Sequence, residues 1–165
     1  MPRHEFIVVD PDKCIGCELC ETVCSFVHDG EFNPLHSRIK RVRIEPIINI
    51  ALSCQKCEDP DCVNACPQKA LEKSEKDGSI LVDEDKCSGC AFCIRACPFG
   101  AISMSTETGK VLICDLCEST EYEEPQCIEF CPRESISLRT VDQVGDEKRI
   151  DAVKRLLTEL LAESK

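Results

Sequence analysis

The sequence predicts an α+β fold whose interior is formed largely by metal-binding cysteines. Sixteen of the 165 residues are cysteine, while the chain has one Tyr, six Phe and no Trp, so side chains for a conventional apolar core are scarce. Short apolar runs typical of strands lie beside the cysteines. One helical pattern occurs near the C-terminus. The expected fold is therefore a set of short strands and helices around the cysteines, followed by a C-terminal helix.

Short strands are predicted beside each cysteine group because apolar and β-branched residues cluster there. The predicted strands are 7–9, 47–52, 80–82, 101–104, 111–113 and 135–138. Segment 37–44 alternates basic and apolar residues and is expected to be an exposed or edge strand, since cations occupy both of its faces. Each C-x3-C spacing is expected to open a short helix.

Residues 146–163 carry the helical pattern. Its apolar positions are Ile150, Val153, Leu157, Leu160 and Leu161, which recur at helical spacing. Asp146, after Gly145, is the predicted N-cap, and Asp151 and Arg155 form a supporting i,i+4 pair. We expect this helix to pack on the body of its own chain, because a small core leaves apolar surface to cover.

The sixteen cysteines form four groups of four. Groups one and three have the spacing C-x2-C-x2-C-x3-C, group two has C-x2-C-x4-C-x3-C, and group four has C-x2-C-x9-C-x3-C. Their members are Cys14, Cys17, Cys20 and Cys24; Cys54, Cys57, Cys62 and Cys66; Cys87, Cys90, Cys93 and Cys97; and Cys114, Cys117, Cys127 and Cys131. Residues 6–14 align with 79–87, and 50–66 with 110–131 after a five-residue insertion, which indicates an internal duplication.

This spacing favours [4Fe–4S] clusters. A C-x2-C-x2-C loop supplies three thiolates to one cubane, and the fourth cysteine of such a run ligates the neighbouring cluster in two-cluster ferredoxins. Zinc sites would use cysteine pairs separated by longer loops, and a disulfide between cysteines three residues apart is geometrically unfavourable. Four complete quartets therefore predict four [4Fe–4S] clusters, with no cysteine left as a nucleophile.

Charge and missing motifs exclude several function classes. The net charge of −11 disfavours a nucleic-acid partner, because phosphates would repel the protein. Residues 1–12 contain neither a signal-peptide apolar region nor a twin-arginine pair, and no stretch is apolar enough to span a membrane, so we expect a cytoplasmic protein without direct membrane insertion. No catalytic triad or nucleotide-binding fingerprint occurs, so no substrate chemistry of its own is expected.

The cysteine array resembles the dimethyl-sulfoxide reductase iron–sulfur subunit family, whose members also serve formate dehydrogenases, hydrogenases and carbon-monoxide dehydrogenases. The widened second and fourth groups carry this resemblance, which extends from about residue 7 to 138. It implies two nested modules similar to bacterial ferredoxins. The outer module would be 1–48 plus 110–145, the inner module 49–109, and the C-terminal helix 146–165.

The resemblance also implies which cysteines share a cluster. Group one would pair with group four, and group two with group three. The implied ligand sets are Cys14, Cys17, Cys20 and Cys131 (cluster 1); Cys24, Cys114, Cys117 and Cys127 (cluster 2); Cys54, Cys57, Cys62 and Cys97 (cluster 3); and Cys66, Cys87, Cys90 and Cys93 (cluster 4). Spacing alone is equally consistent with pairing of consecutive groups.

A finer resemblance concerns the region after the first group. The segments C-E-T-V-C-S-F-V-H at 20–28, F-N-P at 32–34 and S-R-I at 37–39 are similar to small subunits that accompany tungsten-dependent aldehyde oxidoreductases, and to carbon-monoxide dehydrogenase partners. It implies an electron-transfer subunit for a tungsten- or molybdenum-pterin enzyme, with a soluble ferredoxin or an NAD-reducing subunit as a further partner. A free polyferredoxin shuttle, or a redox- or iron-sensing module, is the alternative.

Several polar residues have two interpretations. Arg38, Lys40, Arg41 and Arg43 either dock a partner electrostatically or offset the negative charge of a cluster. The two histidines near them, at 28 and 36, are expected to be hydrogen-bonding loop residues more often than residues that tune a cluster.

Overall fold

The structure is a computed structural model that describes residues 5–44 and 48–163. Within these residues it contains short strands and helices, in the α+β class that the sequence predicts. In chain order they are β1 (Glu5–Val9), α1 (Leu19–Asp29), a 3-10 turn (Pro34–His36), β2 (Lys40–Ile44), β3 (Ile48–Leu52), α2 (Asp61–Asn64), β4 (Leu71–Lys73), β5 (Ile80–Val82), α3 (Phe92–Ala96), β6 (Ser103–Met104), β7 (Val111–Leu112), α4 (Gln126–Glu129), β8 (Ile136–Thr140) and α5 (Val141–Glu163).

The strands pair as two-stranded antiparallel sheets. Strand β1 pairs with β8, so that Ile7 lies opposite Leu138 and Val9 opposite Ile136. The other pairs are the consecutive strands β2–β3, β4–β5 and β6–β7. Helix α1 packs against α4, and α2 packs against α3. Elements from the first part of the chain (β1 and α1) therefore pair with elements from the last part (β8 and α4). The helices from the middle of the chain, α2 and α3, pack against each other.

Each predicted strand overlaps an observed one. Segment 80–82 coincides with β5, and 7–9 lies within β1. The first residue of predicted strand 47–52, Ile47, lies outside the described residues, and the remainder is β3. The basic segment forms β2 from Lys40 onward. Strand β4 was not predicted, because Leu71-Glu72-Lys73 has one apolar residue and depends on pairing with β5.

Two small apolar clusters hold the strands together. The outer cluster contains Ile7, Val9, Ile39, Ala51 and Ile136, with three cysteines among its buried members. The inner cluster consists of Ala70, Leu71, Ile80, Ile102, Val111 and Ile113, with two buried cysteines. Ile39 is 1% exposed, and burial of such a side chain contributes about 1.5–3 kcal/mol. Cysteines are part of both clusters, which agrees with an interior completed by metal.

Proline explains the different helix lengths. Groups two to four have proline after the last cysteine, and their helices span four or five residues, since the residue before proline disfavours helical geometry. In group one Ser25 takes that place, and α1 continues for 11 residues to Asp29. Gly30 then caps the helix with φ of +74°, donating its N–H to the carbonyl of Phe26.

The C-terminal helix differs from the prediction at its start. It begins at Val141 and not at Asp146, directly after β8. The Thr140 N–H donates to Gln143 Oε1 at 2.9 Å and the Gln143 N–H to Thr140 Oγ1 at 3.4 Å, which is a capping box. The predicted N-cap at Asp146 is therefore wrong.

The expectation that this helix packs on its own chain is also wrong for the part that the structure describes. Ile150, Val153 and Leu157 are 54%, 54% and 53% exposed. The side chains of Leu160 and Leu161 lie outside the described residues. The apolar positions recur at helical spacing as predicted, but the body of the chain does not cover the three that are described.

Candidate metal centres

Three cavities are each lined by four cysteines from two sequence groups. We call them site 1 (Cys14, Cys17, Cys20 and Cys131), site 3 (Cys54, Cys57, Cys62 and Cys97) and site 4 (Cys66, Cys87, Cys90 and Cys93). In each, a run of three cysteines is joined by the last cysteine of another group.

The other four cysteines form site 2: Cys24, Cys114, Cys117 and Cys127. All four are buried. Cys24, Cys114 and Cys127 belong to the outer apolar cluster. Burial raises the pKa of Cys127 well above its usual value, and negative charge on Cys114, Cys24 and Cys117 raises it further, which places these thiols near one another.

The first C-x2-C loop of each cysteine group has the same backbone feature. The residue before the second cysteine has positive φ: Gly16 (69°), Lys56 (48°), Gly89 (67°) and Leu116 (59°). A Cβ on Gly16 would lie 2.4 Å from Asn49 Oδ1, and one on Gly89 would lie 2.4 Å from the carbonyl oxygen of Gly109. Residues with left-handed backbone conformation in tight turns direct neighbouring N–H groups toward one concave surface, and such a surface binds anions. A metal centre held by four thiolates is an anion, so this loop geometry suits it.

The C-x3-C spacing places neighbouring sites close together. Cys20 of site 1 and Cys24 of site 2 are both on α1, where four residues span about 6 Å of helix axis. Cys127 and Cys131 link the same two sites around α4. The corresponding links between sites 3 and 4 are Cys62 with Cys66 and Cys93 with Cys97.

Sites 2 and 3 meet at Cys54. This cysteine of site 3 packs against both apolar clusters, and negative charge on it is one of the factors that raise the pKa of Cys114 in site 2, after burial. The sites therefore form a series in the order 1, 2, 3, 4. The exposed cysteines of the described residues are Cys17 and Cys90, one at each end of this series.

Burial controls the protonation of the metal-free thiols. It raises the pKa of Cys20 and Cys114 to about 12 and that of Cys62 to about 11. At Cys24 burial also acts upward, but hydrogen bonds from His28 and from the Arg38 backbone outweigh it and lower the pKa. Metal binding at the buried sites must therefore displace protons.

Backbone N–H groups point at several sulfurs. Arg38 N–H donates to Cys24 Sγ at 3.2 Å, Ala70 N–H to Cys66 Sγ at 3.3 Å, and Ser135 N–H to Cys131 Sγ at 3.4 Å. Hydrogen bonds to sulfur are among the features by which a protein sets the potential of an iron–sulfur cluster.

Two histidines that the sequence singled out lie in different environments. His28 Nδ1 lies 2.8 Å from the Cys24 carbonyl oxygen and 3.9 Å from Cys24 Sγ. It follows Cys24 by four residues on α1, a spacing that could have indicated this contact. His36 instead binds Thr106 Oγ1 at 2.9 Å and lies 3.2 Å from Asp29 Oδ2, as a hydrogen-bonding loop residue.

Three cations of the basic segment have partners within the chain. Arg38 Nη1 binds Asp115 Oδ2 at 2.9 Å, Arg41 pairs with Glu18, and Lys40 Nζ binds the Leu35 carbonyl oxygen at 3.1 Å. These three cations are engaged within the chain, and the docking interpretation stays a prediction. Arg38 and Arg41 lie beside cysteine sites 2 and 1, which favours the charge-compensation alternative.

Sequence reasoning missed two charged residues beside the sites. Asp115 and Lys56 lie inside the C-x2-C loops of sites 2 and 3. Lys56 Nζ binds Asp77 Oδ2 at 2.7 Å. Each lies between two cysteines of a C-x2-C loop, and that position could have indicated a charged residue beside a site.

The side chains available as metal ligands distinguish a single metal ion from an iron–sulfur cluster. Among the described residues, no three His, Cys, Asp or Glu side chains are arranged to hold a single metal ion. Each quartet instead supplies four thiols, and the known ligand set of a [4Fe–4S] cluster is four cysteines. The residues present fit four such clusters.

Comparison with known proteins identifies the family. Residues 47–141 match the 4Fe–4S dicluster domain, and residues 6–28 match a 4Fe–4S binding domain. The chain belongs to the 4Fe–4S dicluster family of iron–sulfur proteins. The two domains and the sixteen cysteines fit four [4Fe–4S] clusters.

Two relatives and one solved structure extend this result. The chain is 44% identical to the polyferredoxin-like subunit of aliphatic sulfonate oxidoreductase from Pyrococcus furiosus, over 76% of this chain and 70% of the relative. It is 31% identical to a subunit of anaerobic dimethyl sulfoxide reductase from Escherichia coli, over 82% of this chain and 73% of that subunit. The predicted family resemblance is confirmed.

The solved structure shares the fold. It is the active site complex BamBC of benzoyl coenzyme A reductase as isolated, with a TM-score of 0.50 and 24% identity over 93% of this chain and 96% of that one. In the described part of the chain, no helix has the length and apolar character that crossing a membrane requires.

Proposed function

We propose that this chain is the electron-transfer iron–sulfur subunit of an oxidoreductase, passing single electrons between a catalytic subunit and an external donor or acceptor. The observation that carries the proposal is the series of four cysteine quartets with one exposed cysteine at each end, Cys17 and Cys90. Bound [4Fe–4S] clusters supply one-electron redox chemistry. The chain itself provides thiolate ligands, backbone donors and a largely buried interior, and catalysis belongs to the partner.

The ligand sets of this proposal are sites 1 to 4. The modules are an outer one of 1–48 plus 110–145, an inner one of 49–109, and a C-terminal segment of 146–165 that continues helix α5 from its start at Val141. The three cysteine-lined cavities support the nested pairing, as does the pairing of β1 with β8. Substitution Cys131→Ser tests it. Nesting predicts that the cluster held by Cys14, Cys17 and Cys20 changes its EPR signal. Pairing of groups three and four predicts a change in the cluster held by Cys87, Cys90 and Cys93.

The catalytic partner we propose is a tungsten- or molybdenum-pterin enzyme of the aldehyde oxidoreductase type. Support comes from the resemblance of segments 20–28, 32–34 and 37–39. The relative that is a subunit of aliphatic sulfonate oxidoreductase supports an oxidoreductase as the partner. A soluble ferredoxin or an NAD-reducing subunit is the second partner. Dense cysteine used as metal ligand favours the cytoplasm, where thiols stay reduced.

An anaerobic pull-down from native cells, with metal analysis, tests this partner. We expect a large subunit that contains tungsten or molybdenum in stoichiometric amount. Nickel in the captured complex would indicate a hydrogenase or carbon-monoxide dehydrogenase partner. Recovery of the chain alone, still able to reduce several enzymes, would indicate a free polyferredoxin and contradict the subunit assignment.

A further inference from the structure

A buried charged network surrounds site 2, with Asp115 at its centre. Asp115 follows the ligand Cys114 and accepts the backbone N–H groups of Cys117 at 3.2 Å and Ser119 at 3.1 Å. Its other contacts are to Arg38 Nη1 at 2.9 Å and to His28 Nε2 at 3.1 Å. One carboxylate thus joins the ligand loop to two distant segments of the chain.

The same two segments also contact Cys24. Arg38 donates its backbone N–H to Cys24 Sγ at 3.2 Å, and the His28 ring lies 3.9 Å from that sulfur. Cys24 is on α1, whereas Cys114 and Cys117 are in the loop after β7. The network therefore contacts both parts of the chain that contribute cysteines to site 2.

Solvent screens these charges weakly. The side chains of His28, Asp115 and Arg38 are 2%, 15% and 19% exposed. Two unit charges in such an environment interact several times more strongly than in bulk water. A fixed charge beside a redox centre shifts its potential, because reduction adds one negative charge. A cation stabilises the reduced form, and an anion destabilises it.

We propose that Arg38 and Asp115 tune the reduction potential of site 2 in opposite directions, with Arg38 raising it and Asp115 lowering it. The inference rests on the proposed electron-transfer function and on the ligand set of site 2. One electron enters the site from a neighbouring site or partner and one leaves it, and no bond is made or broken.

A merely structural role makes a different prediction. If Asp115 only holds the loop in place, removing either charge would loosen the site and both changes would have the same sign. Tuning by charge instead requires opposite signs, and it requires that removing both charges moves the potential back toward the wild-type value.

Redox titration followed by EPR, on the anaerobically purified full chain, distinguishes these possibilities. For Arg38→Met we expect one of four midpoint potentials to fall, with about a tenfold lower ratio of reduced to oxidised site at fixed solution potential, which is about 59 mV for one electron. For Asp115→Asn the same potential rises. The double variant and Arg38→Lys return it toward the wild-type value.

Arg139→Met is the matched control. Arg139 Nε also pairs with a carboxylate, Glu147 Oε1 at 3.2 Å, but the two side chains are 37% and 59% exposed. This variant leaves all four potentials unchanged.

Three results would overturn the inference: unchanged potentials in both single variants, shifts of the same sign, or loss of one cluster in both single variants and in the double variant. If Arg38→Met alone fails to assemble, Asp115→Asn and the double variant still provide the sign test. Failure of the proposed function is recognised separately, since the wild-type chain would then lack four redox-active clusters.

Discussion

The ion pair between Lys56 and Asp77 gives a quantitative test of how the inner part of the fold is held. Lys56 lies in the ligand loop of site 3, and Asp77 lies in the turn between β4 and β5. Their atoms Nζ and Oδ2 are 2.7 Å apart, with side chains 2% and 19% exposed. Ser79 Oγ also donates to the Asp77 carboxylate. Asp77→Asn removes the negative charge and leaves a buried ammonium group without its counter-ion.

The expected cost follows from this geometry. At an effective dielectric constant of about 20, two unit charges at this separation attract by roughly 6 kcal/mol. Desolvation offsets part of this attraction, and breaking a buried pair by removing one partner typically costs about 3–5 kcal/mol. With an m-value of about 2 kcal/mol/M, the urea midpoint of the variant falls by roughly 1.5–2.5 M.

Anaerobic urea titration of the metal-loaded chain, followed by circular dichroism and by cluster absorbance, measures this change. Asp83→Asn is the matched control, because Asp83 pairs with Lys86 in the same part of the fold but both groups are exposed. The double variant Lys56→Met with Asp77→Asn recovers most of the loss, since it removes both charges. A midpoint for Asp77→Asn equal to that of the wild type would refute the reasoning.

The pH dependence of this pair has a defined sign. Burial acts to raise the pKa of Asp77, but hydrogen bonds from Lys56 and Ser79 outweigh it and hold the pKa below its usual range. A depressed pKa contributes stability that is present above the unfolded-state pKa and lost as pH falls through the folded-state pKa. The gap between wild type and Asp77→Asn therefore stays constant over about pH 6–8, and a gap that vanished there would contradict this assignment.

Three further predictions concern the loops, the C-terminal helix and the metal. Gly89→Ala destabilises the chain more than Gly100→Ala by urea midpoint, because the new Cβ would lie 2.4 Å from the Gly109 carbonyl oxygen, whereas nothing lies within 4 Å at Gly100; equal effects would contradict this. Gly100→Ala costs only the left-handed backbone term, about 1–2 kcal/mol. Leu157→Gln, at a 53% exposed position, changes the free energy of unfolding by less than about 0.5 kcal/mol, and a larger loss would mean that the helix packs on its own chain. Removal of metal by chelator under reducing conditions abolishes cooperative unfolding and native circular dichroism, since cluster binding is folding energy here; a well-folded metal-free chain would disprove it.

Local patterns predicted the features that depend on local sequence. The α+β class, strand 80–82 and the helical spacing of Ile150, Val153 and Leu157 follow from short-range periodicity. The true start of α5 was also encoded locally, in the T-x-x-Q pattern of Thr140 and Gln143, but Asp146 after a glycine is an equally ordinary N-cap and was preferred.

Tertiary contacts determined what the sequence could not predict. Arg38 and Asp115 are 77 residues apart, and Lys56 and Asp77 are 21 apart, so no periodic pattern relates them. The alternating pattern of segment 37–44 predicted a strand correctly. The ion-pair partners of its arginines could not be predicted, because their carboxylates come from other parts of the fold. Likewise, spacing allowed two pairings of the cysteine groups, and the cavities arise only when β1 meets β8 and α2 meets α3.

Iron and acid-labile sulfide, measured on the anaerobically purified chain, test the central claim most directly. Four quartets of cysteine that each hold a [4Fe–4S] cluster predict about sixteen iron and about sixteen sulfide per chain. About eight of each would mean that only half of the quartets hold clusters, and about four zinc without sulfide would mean that they are zinc sites. Either result would contradict the account.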